Sequence, residues 1–68
     1  MDEEIPLGSV IARARQRKRW TQADLAERVG VGREAVSTWE IGQHYPKRHL
    51  GLIEEVLGID LSAYGKAS

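Results

Sequence analysis

Between Gln22 and Ile41 the chain fits two amphipathic segments around a break of only three residues, Gly30-Val31-Gly32, and this spacing constrains the fold more than any other feature. Thr21 stands where a helix N-cap belongs, and Asp24 falls in the first turn, where negative charge is favoured. Together they form an imperfect capping box, because Asp is shorter than Glu. Trp20 before the cap and Leu25 within the helix have the spacing of a hydrophobic staple. The segment runs to about Val29, and Gly30 supplies a left-handed stop with no Cβ penalty. Gly32 is a workable, second-rate cap for the next segment. That segment turns Val36 and Trp39 inward, leaves Arg33, Glu34, Ser37 and Thr38 pointing elsewhere, and ends near Ile41 at Gly42. Two helices joined so tightly must bury against each other.

The rest of the chain reads as helix as well. Leu7, Val10, Ile11 and Ala14 form one apolar stripe over a helix from Leu7 to about Lys18, with Pro6 just before its start. A polar loop from Gln43 to Lys47, containing Pro46, leads to a fourth helix carrying Leu50, Ile53 and Leu57 and closed by Gly58. Ile59 to Tyr64 can add one short turn. No strand pattern or internal repeat is visible. The expected architecture is all-α, a compact bundle of four to five helices over residues 7–64, with a flexible acidic segment 1–6 and a frayed end 65–68.

The 68 residues allow one domain, which buries only about 60% of its unfolded surface, so a single core must stabilise it. With no cysteine, neither a disulfide nor a thiolate metal site can help. No apolar run approaches the roughly 18 residues of a membrane span, and the start Met1-Asp2-Glu3-Glu4 is unlike a signal peptide. A cytoplasmic protein without cofactor or small-molecule ligand is the expectation. Ten basic residues balance ten acidic ones, yet they are segregated. Arg13, Arg15, Arg17, Lys18 and Arg19 lie together with no acid among them, and Lys47 and Arg48 form a second cluster beside His44 and His49. Asp2, Glu3, Glu4, Glu54, Glu55 and Asp60 lie elsewhere. Such a basic face suits a polyanion approached from one side.

Residues 22–41 meet the demands of a helix-turn-helix: a small residue at the crossing (Ala26), a turn opening on positive φ (Gly30), locking apolar contacts (Leu25, Val29, Val31, Val36, Trp39) and a free polar face on the second helix. The stretches Trp20–Val31, Ser37–Gly42 and Leu57–Ile59, in that register, resemble the lambdoid phage repressor and Cro type of helix-turn-helix domain. The resemblance covers residues 7–64. It implies a lambda-repressor-like five-helix fold and a recognition helix at about Arg33 to Ile41. It further implies a sequence-specific regulator, repressor-like or Cro-like, bound as a homodimer to a palindromic double-stranded DNA operator.

On that resemblance, the base-reading positions are Arg33, Glu34, Ser37 and Thr38. Arg suits guanine, Glu can accept from cytosine N4, and Thr can offer its hydroxyl or its methyl to thymine. Gln22 is implied to touch backbone phosphate, joined by Thr21, Arg15, Lys47 and Arg48 at phosphates or the minor groove. Arg15 and Glu40 hold positions that form an ion pair tying helix 1 to the recognition helix. Three departures stand out. Ile41 replaces a frequent Asn that can touch phosphate, Arg19 stands where Gly often ends helix 1, and Gly32 replaces a capping Ser or Thr.

Other functional classes fare worse. His44, His49 and Glu54 are spaced five apart, which straddles a loop and misses one helical face, so no metal site is expected. No nucleophile–base set or phosphate-cradling glycine loop suggests an enzyme. A protein-binding or antitoxin-type module on the same fold is the stronger rival. Leu52, Leu61 and Tyr64, with His49, would give a small apolar patch for self-association.

Overall fold

In the computed structural model, which describes residues 5–65, the chain forms α1 (Leu7–Arg17), α2 (Gln22–Val29), α3 (Arg33–Glu40), α4 (Leu50–Leu57) and α5 (Ser62–Gly65), with a 3₁₀ turn at Lys47–His49 leading into α4. Residues 1–4 of the expected acidic segment and 66–68 of the expected frayed end lie outside the described residues. No described helix is long and apolar enough to cross a membrane.

The local signals in the sequence are realised where they were strongest. The Asp24 N–H donates to the Thr21 hydroxyl at 3.0 Å and the Thr21 N–H donates to Asp24 Oδ2 at 2.8 Å, so the capping box is complete despite the short Asp. Gly30 ends α2 in the left-handed region at φ 87°, and its N–H donates to the Ala26 carbonyl. Gly32 caps α3 without a side-chain bond. Ile11 and Ala14 of α1, Leu25, Ala26 and Val29 of α2, Val36 and Trp39 of α3, and Ile53 and Leu57 of α4 form one buried core.

Leu61 corrects the sequence reading. Expected on a surface patch, it is fully buried among the core residues. The segment after α4 folds back rather than running free: the Leu61 N–H donates to Glu54 Oε2 at 2.6 Å, and the Ser62 N–H donates to Asp60 Oδ1 at 2.9 Å. These bonds pin the chain on either side of Leu61, which then seals the bottom of the core. The Tyr64 hydroxyl donates to the Ile5 carbonyl at 2.6 Å, and the Tyr45 hydroxyl donates to the Tyr64 carbonyl. Both ends of the described chain are thereby tied to the loop after α3.

Two carboxylates in these turns titrate below the usual aspartate value of 3.8. Asp24 is lowered mainly by the backbone N–H of Thr21, and Asp60 mainly by that of Ser62. A carboxylate whose folded pKa is depressed stabilises the fold above its unfolded pKa, and that contribution fades as pH falls through the folded value. Urea midpoints should therefore drop as pH is lowered past 3.8. Asp24→Asn should lower the midpoint at neutral pH and flatten this acid limb; an unchanged limb would remove Asp24 from its cause.

Arg19 stands out among the described non-glycine residues with φ 61°, the left-handed region that L side chains disfavour. The turn after α1 requires it, since the Lys18 and Arg19 N–H groups bond back to Arg15 and Gln16 before the chain enters α2. Arg19→Gly relieves the Cβ clash while adding freedom to the unfolded chain, so a net gain of about 0.5 kcal/mol is expected. Thermal unfolding should register it as a rise of roughly 2–4 °C.

Candidate nucleic-acid interface

The α2–α3 corner is held from inside by Ala26, Val29, Val36 and Trp39, all buried, which leaves the other face of α3 to solvent. Arg33 and Glu34 are exposed in its first turn, and no ion pair between them is present among the described residues. Ser37 and Thr38 are half-buried one turn later. The Thr38 hydroxyl donates to the Ala35 carbonyl at 2.8 Å, so its proton is committed to its own helix, and its methyl and oxygen lone pairs remain to offer. Lys47 and Arg48 are exposed beside this face. With Glu34, Thr38, His44 and His49 they line an open groove of about 560 Å³. Glu34 and Thr38 therefore meet the cationic Lys47 and Arg48 in one groove, while Arg33 and Ser37 lie outside its lining.

Behind α3 lies a polar network. Arg15 Nε donates to Glu40 Oε2 at 2.7 Å and Arg15 Nη2 donates to Glu40 Oε1 at 3.0 Å, a bidentate pair that ties α1 to the last residue of α3. Arg15 Nη1 donates to the Trp20 carbonyl at 2.8 Å, which anchors the α1–α2 turn as well. Glu40 raises the Arg15 pKa, first through its side-chain hydrogen bond and then through its charge, which favours the cationic guanidinium. Gln22, the first residue of α2, joins from a third side, its Nε2 donating to Glu40 Oε1 at 3.0 Å. Three helices meet on one carboxylate.

The sequence profile of the helix-turn-helix family matches residues 11–64. The chain belongs to that family. Within it, the chain is of the repressor and Cro type, a group of DNA-binding regulators. A curated relative is Multiprotein-bridging factor 1 of Debaryomyces hansenii, 34% identical over 59 residues; the match covers 85% of this chain and 39% of that protein. The chain thus spans well under half of that relative's length. No solved structure matches.

For this helix-turn-helix domain, the basic run of α1 does not form the single face that the sequence suggested. Arg15 turns in to Glu40. Arg13 and Arg17, one turn apart, line a small groove with Ile5, Val10, Ala14 and Ile59. Lys18 Nζ sits 5.4 Å from the centroid of the Trp20 ring and the Arg28 guanidinium 4.2 Å from it, so Trp20 spends its exposed faces on cations. The helical period separates charges that are adjacent in sequence.

Thr21, expected at a phosphate, accepts from Asp24 and keeps its hydroxyl hydrogen for another partner. The backbone N–H groups of Gln22 and Ala23 have no acceptor among the described residues and open at the end of α2. Ile41, in place of the frequent Asn, is 67% exposed and offers nothing polar to a backbone. Of the residues expected at a self-association patch, Leu52 is 40% exposed, and Tyr64 is half-buried with its hydroxyl spent on Ile5. His49 is half-buried with its ring 5.6 Å from that of Trp39. The sequence reading missed Gly8, Tyr45, Glu54 and the Gln22–Glu40 bond. Only Gly8 carried a local signal, as a glycine on the inner side of a helical stripe.

Proposed function

We propose that this domain regulates transcription by binding a specific double-stranded DNA sequence, with α3 in the major groove. Arg33, Glu34, Ser37 and Thr38 read base edges, Thr38 chiefly through its methyl group. Gln22, Thr21, Lys47 and Arg48, with the unused N–H groups of Arg15, hold the phosphates and set the register. The observation that carries this reading is the polar outer face of α3, where Arg33 and Glu34 make no ion pair among the described residues, braced from behind by Arg15, Glu40 and Gln22. A recognition surface needs that combination of free side chains on a rigid element. Two copies, associated through the surface around Leu52, His49 and Tyr64, would bind half-sites about 34 Å apart on an inverted repeat.

The test is selection of bound sequences from a random DNA pool at near-physiological salt. Enrichment of an inverted repeat with half-site centres about 10 base pairs apart is the expected result. A lone half-site would keep the reader and remove the dimer. No enrichment by folded protein would favour a second reading, a module that bridges proteins, to which the name of the Debaryomyces hansenii relative points.

A further inference from the structure

We infer that Gln22 is a positioning residue that couples the phosphate grip at the start of α2 to the orientation of the recognition helix. The inference rests on the DNA-binding reading above and deepens it.

Gln22 sits 18 positions before Glu40, yet its Nε2 donates to Glu40 Oε1 at 3.0 Å. That oxygen also accepts from Arg15 Nη2, and the other carboxylate oxygen accepts from Arg15 Nε. A carboxylate held by three donors at the end of α3 cannot turn without breaking at least one charge-assisted bond. The amide of Gln22 has two N–H groups, and Glu40 uses one. The second, with the open backbone N–H groups of Gln22 and Ala23, is free for an anionic oxygen at the α2 N-terminus. One amide group can then bridge a DNA phosphate and Glu40. A phosphate that draws the amide into place also fixes the last turn of α3, and with it Ser37 and Thr38 on the same helix. Misplaced backbone contacts, as on a non-cognate sequence, would leave that brace slack.

A simple phosphate contact and a coupling element make different demands. Gln carries no charge, so its loss leaves the salt dependence of binding unchanged in either case. If Gln22 only touches phosphate, its loss weakens cognate and random DNA equally. If it couples the two, cognate binding suffers more.

The experiment uses the full chain and the variants Gln22→Met, Glu40→Gln and the double variant, each checked for cooperative unfolding. Binding is measured to the selected sequence and to random DNA. Gln22→Met should weaken cognate binding about tenfold and random DNA only about twofold. In the Glu40→Gln background it should add little to the loss of specificity, because the bridge is already weakened. Equal losses on both DNAs, or independent losses in the double variant, would overturn the coupling. A second measurement does not depend on DNA at all. The side-chain amide resonances of Gln22 should move in Glu40→Gln, and hydrogen exchange at the end of α3 should quicken in Gln22→Met. If neither changes, the brace is absent and the inference fails, even where a cognate sequence has been found. If both change but no sequence is enriched, the brace is real but the DNA reading falls, and the coupling role falls with it.

Discussion

Replacing Gly8 with alanine is expected to destabilise the domain by about 2 kcal/mol, and thermal unfolding should drop by roughly 8–16 °C. Gly8 is buried where the first turn of α1 lies on the end of α3. A Cβ there would stand 2.6 Å from the Trp39 carbonyl oxygen, 2.8 Å from the Glu40 carbonyl carbon and closer still to the Glu40 carbonyl oxygen. Carbon–oxygen contacts ordinarily begin near roughly 3.3 Å. All three atoms belong to the backbone, so no side chain can rotate away and the two helices must part. Alanine gains up to about 1 kcal/mol of helix propensity over glycine, which offsets only part of that strain. Against a total stability of roughly 0.05–0.15 kcal/mol per residue, the loss is a large share. Gly51 supplies the internal control. It is exposed on α4 with open space where an added methyl group would sit, so Gly51→Ala should raise stability by roughly 0.5–1 kcal/mol. If alanine at 8 proved as benign as alanine at 51, α1 and α3 would not pack as described.

That contrast marks where the sequence was readable and where it was not. Thr21, Asp24, Gly30 and Gly42 act within a few residues of themselves, so the bounds of α2 and α3 could be written from the chain alone. Arg19 stood out only against the family's pattern, as a side chain where Gly often ends helix 1, and φ 61° is the outcome. The Arg15–Glu40 pair was accessible only through family resemblance, since nothing local links residues 25 apart. Gly8 and Gln22 act on residues far along the chain; the α1 stripe could place Gly8 on the inner side, but nothing local names the partner of either. Leu61 failed for a different reason. It lies just before α5, outside any helix, so no periodicity shows which way it faces, and the bond from its N–H to Glu54 spans a turn. For the candidate site, the sequence located the outer face of α3. It could not tell that Thr38 spends its proton on Ala35, or that the α1 arginines diverge.

On DNA, the largest effect is expected from Arg33→Ala: a loss of about 1–3 kcal/mol on the selected sequence and much less on random DNA. Arg33 opens α3 behind Gly32, a cap with no side chain to cover the helix end, and in the proposed docking this is the end of α3 that meets the groove first. It is exposed, and no carboxylate pairs with it among the described residues. Truncation therefore leaves no buried charge behind, and stability should hold within about 0.5 kcal/mol. Any loss of binding then belongs to the interface. A guanine edge presents two acceptors that a planar guanidinium meets in parallel, a match that a phosphate does not distinguish by sequence. Repeating the selection with the variant reads this directly: enrichment should relax at one position in each half-site and persist at the others. A uniform loss on cognate and random DNA, with a shallower salt dependence, would assign Arg33 to the backbone and leave Glu34, Ser37 and Thr38 to carry the reading.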